Sequence, residues 1–177
     1  MFQNPLLLII DTQLGFFTKP KETLYVAEET LKKIKSLLTK ARSAKIPVIF
    51  IQHDGLKGGS LDPAGPGWVI HPLIMPISGE QIIRKKTPSA FVGTSLDADL
   101  KKKSIKTLVI VGLQTEFCVD STVRHASYLD YKVILAKDAH STFDSSILKA
   151  PQIIAHHNMI LGDDFAELKN ESEIEFP

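Results

Sequence analysis

The sequence predicts a three-layer α/β/α fold, with a mostly parallel, Rossmann-like sheet of about six strands covered by helices on both faces. Three observations carry this prediction. Short, unbroken apolar runs recur along the chain, the pattern of strands buried on both faces. Segments with apolar residues at helical spacing stand between them. The two kinds alternate, which is the order of βαβ units. The chain has 177 residues, a length that fits one domain over 1–177.

Leu6-Leu7-Leu8-Ile9-Ile10 is the first strand, and it stops at Asp11. A polar stretch with Gly15 and Pro20 leads to a helix over about 23–44. There Leu24, Ala27, Leu31, Ile34, Leu37, Leu38 and Ala41 share one face, and Thr23 lies at the N-cap. Val48-Ile49-Phe50-Ile51 is the second strand. Residues 52–80 are rich in glycine and proline, from Gly55 to Pro76 and Gly79. A stretch of that length without regular structure is usually functional. A short strand at 81–84 follows, then a helix at 96–103. Thr107–Val111 is a β-branched strand running into Gly112. A helix over about 118–129, a strand at 132–135 and a helix at 145–156 come next. A short strand at 158–161 and a helical turn or two at 163–168 close the pattern.

Composition narrows the function. Lys plus Arg number 21 against 20 for Asp plus Glu, so the net charge is +1. A dedicated nucleic-acid or anionic-membrane protein carries a basic excess, so neither partner is expected. The apolar run at 6–10 is too short for a membrane span of about 20 residues. It also lacks the basic flank of a signal peptide. The single cysteine, Cys118, excludes an internal disulfide and a Cys-rich zinc site, and a lone thiol suits a reducing, cytoplasmic setting.

In parallel sheets ligands bind beyond the carboxyl ends of the strands. Asp11 leaves the first strand there, Lys85 and Lys86 follow the strand at 81–84, and Cys118 opens the helix after 107–111. A helix N-terminus lowers a thiol pKa, and its N–H groups can hold an oxyanion. Each residue also has a plain structural reading. Cysteine is a common buried hydrophobe, aspartate a common turn residue, and lysine a common surface residue. A histidine partner is not evident. His125 stands about 10 Å further along a helix, and His53, His71, His140, His156 and His157 could approach only through the fold. His156 and His157 are expected late in a helix, beside its C-terminal dipole.

Two motif matches weaken on inspection. Cys118 and Arg124 have the spacing of a thiol-phosphatase loop, but the intervening residues hold no glycine and carry Asp120, which repels phosphate. Asp11, Thr115, Lys85 and Asp163-Asp164 mimic the order of a haloacid-dehalogenase-type phosphatase. Gln13 stands where that mechanism needs a second aspartate. His53, Asp54 and His71 lie in the glycine-rich stretch without a tight set of metal ligands around them.

Five segments stand out: LLLIIDTQLGFF (6–17), PVIFIQHDG (47–55), RKKTPSAFVGTSL (84–96), VIVGLQTEFCVDSTVRHA (109–126) and VILAKDAHST (133–142), the third and fourth being specific in combination. In order and spacing the chain resembles the isochorismatase-like cysteine hydrolases, which include nicotinamidases and related amidases. The resemblance implies a catalytic triad of Asp11, Lys85 and Cys118. Lys85 is chosen over Lys86 by its interval to Ser89-Ala90-Phe91. It also implies a cis peptide at Leu113–Gln114, with the N–H groups of Gln114 and Cys118 forming an oxyanion hole. The implied activity is hydrolysis of a C–N, amide-type bond of a small molecule through a cysteine thioester, with no cofactor. A vinyl ether hydrolase and a non-catalytic member are the alternatives within the family, and the phosphatase using Asp11 is the alternative outside it. Gln13, Phe16, His53, Trp68, Thr115 and Glu116 are the candidate substrate contacts, Trp68 being equally suited to subunit packing. Gln52-His53-Asp54 lacks the companion histidine of the family's metal motif, so no metal is expected. Family members are commonly homodimers or homotetramers.

Overall fold

The computed structural model describes residues 2–19 and 22–177. Six strands form one sheet: β1 (Pro5–Ile10), β2 (Val48–His53), β3 (Gln81–Lys85), β4 (Thr107–Leu113), β5 (Lys132–Ser141) and β6 (Glu167–Lys169). Their order is β3-β2-β1-β4-β5-β6, and every pairing is parallel. The helices are α1 (Leu14–Phe17), α2 (Ala27–Ser43), α3 (Leu96–Lys102), α4 (Asp120–Tyr128) and α5 (Ala150–Asp164). This is the three-layer arrangement that the alternation of elements predicts.

The strands are buried because each face meets its own core. Leu6, Leu8 and Ile10 of β1 pack with Ile49, Ile51, Leu108, Ile110, Leu96 and Val123. Leu7 and Ile9 point the other way, onto Leu31, Ile34, Leu37 and Leu38 of α2. Each fully buried Leu or Ile contributes roughly 1.5–3 kcal/mol relative to exposure. The charges of α2 suit its dipole, with Glu28 and Glu29 in the first turn and Lys40 and Arg42 in the last.

Five expectations are corrected. The helix expected from about residue 23 begins at Ala27, because Leu24 joins a separate cluster with Phe16, Leu61 and Phe143. The helix expected at 145–156 occupies Ala150–Asp164 instead. Asp144 holds the Ala150 N–H at 2.9 Å, and Pro151 lies in the first turn, which fixes the start there. The expected strand at 158–161 is therefore helical, and His156 and His157 lie mid-helix rather than late. The turn expected at 163–168 splits into the end of α5 and strand β6, which exists only by pairing with Ile134–Ala136 of β5.

The topology aligns the strand ends that matter. His53 and Lys85 are register partners at the ends of β2 and β3. Asp11 follows β1 with φ +43°, a left-handed conformation that aspartate tolerates better than most residues. At the end of β4, Gly112 has φ +126°, and a Cβ there would collide with the Ile10 backbone. Glycine is thus required for β4 to lie this close to β1. Opposite it, β5 bulges: Ile110 pairs with Leu135, and Gly112 with His140.

Candidate active site

Cys118 lies in a single π-helical turn, Thr115–Val119, between β4 and α4. The turn is entered through a cis peptide at Leu113–Gln114. The Gln114 carbonyl accepts from the Phe117 and Val119 N–H groups at 3.2 and 3.1 Å, closing the turn. Below the thiol, Asp11 is 0% exposed, Lys85 2% and Cys118 9%. The Lys85 ammonium is 2.6 Å from Asp11 Oδ2 and donates to Cys118 Sγ at 3.2 Å. It also donates to the Thr87 carbonyl at 3.0 Å and contacts His53 Nδ1 at 3.0 Å. An ammonium has three N–H groups, and four acceptors face it. Asp11 Oδ2 is the nearest of them, and the carboxylate is also within hydrogen-bonding reach of the Cys118 thiol.

These surroundings set the protonation states. Burial raises the Asp11 carboxyl above its usual 3.8, against the opposing pull of Lys85. Burial, and then the negative charge of Asp11, push the Cys118 thiol up to about 12, with Lys85 opposing. The expectation that a helix N-terminus lowers this pKa is corrected: desolvation outweighs the dipole of a short turn. Burial together with the Lys85 charge lowers His53, which is neutral near pH 7. An ammonium has no lone pair, so His53 Nδ1 accepts and Nε2 carries the ring proton.

A cavity of about 420 Å³ opens over the thiol. Phe16, His53, Leu56, Leu61, Phe117 and Cys118 line it, with the Gln114 backbone segment at one side. Its shape comes from the loop after β2. The Ser60 carbonyl sits so close to Gly15 and Gly67 that a Cβ on either would collide with it. Gly55 N–H donates to Leu61 C=O at 2.9 Å, which folds Leu56–Ser60 over the opening.

The other sequence candidates fall elsewhere. Gln13 is fully buried and acts as a clamp. Its amide donates to the His53 and Trp68 carbonyls and accepts from His53 N–H, at 3.0, 2.8 and 2.8 Å. Trp68 donates to Asp54 at 2.9 Å and lies under the Arg84 guanidinium, off the cavity wall. Thr115 is buried against His140, and Glu116 accepts from Thr142 at 2.8 Å. His71 lies against the Phe17 ring, apart from His53. Yet His53 does have metal-type neighbours, contrary to the sequence expectation: Asp11 and Cys118 each bring a ligand atom within 4.8 Å. Leu56, Leu61 and Phe117 on the wall carry no chemical signature, so no sequence signal marks them.

His140 is the residue that sequence reasoning passes over. It is 2% exposed and sits between Thr115 Oγ1 at 2.8 Å and Asn158 Oδ1 at 2.9 Å. Nε2 must donate to the Asn158 oxygen, so Nδ1 accepts the Thr115 hydroxyl and ties β5 and α5 to the cysteine turn. Burial holds its pKa down at about 4, against a usual 6.5. The unfolded chain therefore takes up a proton that the folded chain refuses, and stability is lost as pH falls from 6.5 toward 4. The full loss is about 3 kcal/mol. Denaturant melts at pH 7 and 4.5 should show a steeper acid loss in the wild type than in His140→Asn. Equal losses would rule out a buried neutral His140.

At the carboxyl edge of the parallel sheet, a thiol, a carboxylate and an ammonium thus lie together beneath a cavity. The chain belongs to the isochorismatase family: the Isochorismatase domain model matches residues 5–152. A streptothricin hydrolase from Streptomyces noursei is 35% identical over 147 residues, covering 83% of this chain and 52% of that protein. The chain thus spans about half the length of that relative. Nicotinamidase 3 from Arabidopsis thaliana is 27% identical over 158 residues, 81% of this chain and 76% of that one. The crystal structure of an isochorismatase from Pseudomonas putida KT2440 superposes with a TM-score of 0.91 at 30% identity, covering 97% of this chain and 90% of that one. Family membership removes the phosphatase alternative. Consistently, Asp163 and Asp164 lie exposed at the end of α5. No helix among the described residues is long and apolar enough to cross a membrane.

Proposed function

We propose that the protein is a cysteine amidohydrolase that cleaves a C–N bond of a small molecule through a thioester on Cys118. The observation that carries this reading is the sealed contact of Asp11, Lys85 and Cys118 at the floor of the cavity. With its pKa near 12 the thiol is not a preformed thiolate. Asp11 takes the S–H proton as sulfur attacks the carbonyl, and Lys85 offsets the charge growing on sulfur. The N–H groups of Gln114 and Cys118 receive the oxyanion. Asp11 then passes its proton to the departing nitrogen, leaving an acyl group on sulfur. A water, deprotonated by the same carboxylate, opens the thioester and restores the thiol. Phe16 and His53 on the cavity wall contact the acyl group.

The test is acid quenching during turnover of a panel of small amides, followed by intact mass and peptide mapping. The expected result is an acyl adduct on Cys118. Turnover without any adduct, equally fast in an alanine variant, would sink the covalent route. The acid limb of the kcat/KM profile should lie above the ordinary aspartate range, because activity rises as the raised Asp11 carboxyl loses its proton. A limb at or below 3.8 would remove Asp11 as the base. The same reading makes the molecule a homodimer or homotetramer in the cytoplasm, and sedimentation at micromolar concentration tests the assembly.

A further inference from the structure

Three atoms of metal-ligand type surround one point beneath the cavity. Asp11 Oδ2, His53 Nδ1 and Cys118 Sγ lie 2.6, 3.0 and 3.2 Å from the Lys85 Nζ among them. A carboxylate oxygen, an imidazole nitrogen and a thiolate are ligands of zinc-class cations, at about 2.0–2.3 Å. The ammonium fills this place incompletely. Its three N–H groups face four acceptors, the Asp11 carboxylate, His53, Cys118 and the Thr87 carbonyl, so one of the four is left short. A metal ion has no such donor limit and can satisfy all three ligands together.

We propose that Asp11, His53 and Cys118 form a binding site for a zinc-class divalent cation, which competes with the Lys85 ammonium and reversibly shuts the enzyme. The metal–sulfur bond forms as the S–H bond breaks, and one proton per ion passes to solvent. Nothing is oxidised or reduced. Lys85 keeps its Thr87 carbonyl and gives up its hydrogen bonds to both His53 and Cys118. The remaining tetrahedral position faces the cavity, which His53 and Cys118 both line. Displacing a buried ammonium opposes binding, so the intact protein holds the ion more weakly than a chain lacking Lys85. Binding stands whatever bond the enzyme cleaves.

Co²⁺ titration reads the site optically, since a thiolate–cobalt bond gives a near-ultraviolet charge-transfer band. One equivalent should bring up the band in the wild type. Cys118→Ser should abolish it, and His53→Ala should weaken Co²⁺ by about 10-fold or more. Lys85→Ala should bind Co²⁺ more tightly than the wild type. Zn²⁺ should inhibit, and a chelator should restore activity. Undiminished Co²⁺ affinity in His53→Ala would reduce the ion to a ligand of the thiol alone and overturn the site. So would a missing band in the wild type, or inhibition that a chelator does not reverse. If Lys85→Ala does not fold, the His53→Ala comparison decides by itself.

Discussion

Cys118→Ala is expected to lower turnover by about 10⁴-fold or more while leaving the fold and substrate binding in place. The nucleophile has no substitute nearby. Ser60 lies on the cavity wall but outside the buried Asp11–Lys85 pair, so no other side chain combines nucleophile and base. The thiol also has a small structural share. It packs at the edge of the larger core cluster with Val119 and Val123, which hold the turn without it. Losing one sulfur atom there costs about 1 kcal/mol. Cys118→Ser should be nearly as inactive, because a hydroxyl in the same dry site is harder to deprotonate than a thiol already pushed to about 12. Calorimetric binding of an uncleaved substrate to the alanine variant, beside its thermal midpoint, separates lost chemistry from lost structure. Turnover within 100-fold of wild type would end the covalent mechanism. Complete absence of turnover in the wild type, across all amides and vinyl ethers tried, would favour a binding member of the family.

The central sheet was legible because its strands are buried on both faces, and burial on both faces leaves an unbroken apolar run such as Leu6–Ile10. Elements that depend on a neighbour were not legible. The three residues of β6 are part-exposed and carry no strand pattern; pairing with β5 makes them a strand. The run Asn158–Leu161 looks like a strand because four residues cannot separate a period of two from one of 3.6. Within α5, Ile153 and Leu161 fall on one buried side, and that longer spacing identifies the helix.

In the site, Asp11 and Cys118 were legible from where the strands end. What surrounds them was not. Trp68 and Thr115 suit a substrate pocket by type, but each is engaged elsewhere, Trp68 by Asp54 and Thr115 by His140. Such partnerships cross long sequence separations and follow no local pattern. The thiol pKa follows the same rule. A helix N-terminus is visible in sequence, whereas the burial that overrides it is a property of the packed fold.

Strand parity in the structure separates Lys85 from Lys86. In β3 burial alternates, with Ile83 and Lys85 inward and Ile82 and Arg84 outward, and Lys86 beyond the strand is exposed. Lys85→Met should therefore abolish most activity and also destabilise the protein by roughly 3–5 kcal/mol at neutral pH, since it leaves Asp11 buried without its counter-charge. Lys86→Ala should stay within about 0.5 kcal/mol of wild type, with kcat/KM unchanged. The pH dependence has a definite sign. Without Lys85 the carboxyl rises further above its usual value, so the folded chain holds a proton that the unfolded chain releases above about 3.9. Protons favour the folded state, and the stability of Lys85→Met falls as pH climbs through that range. Its deficit relative to wild type should thus be smallest in acid and grow toward neutrality. Adding Asp11→Asn removes the carboxyl, so the double variant should recover most of the stability and none of the activity. Denaturant melts of the four proteins at pH 4.5 and 7.5, beside their turnover, give the outcome. A deficit in Lys85→Met that shrinks as pH rises would contradict the Asp11–Lys85 pairing, and loss of activity in Lys86→Ala would move the triad to the other lysine.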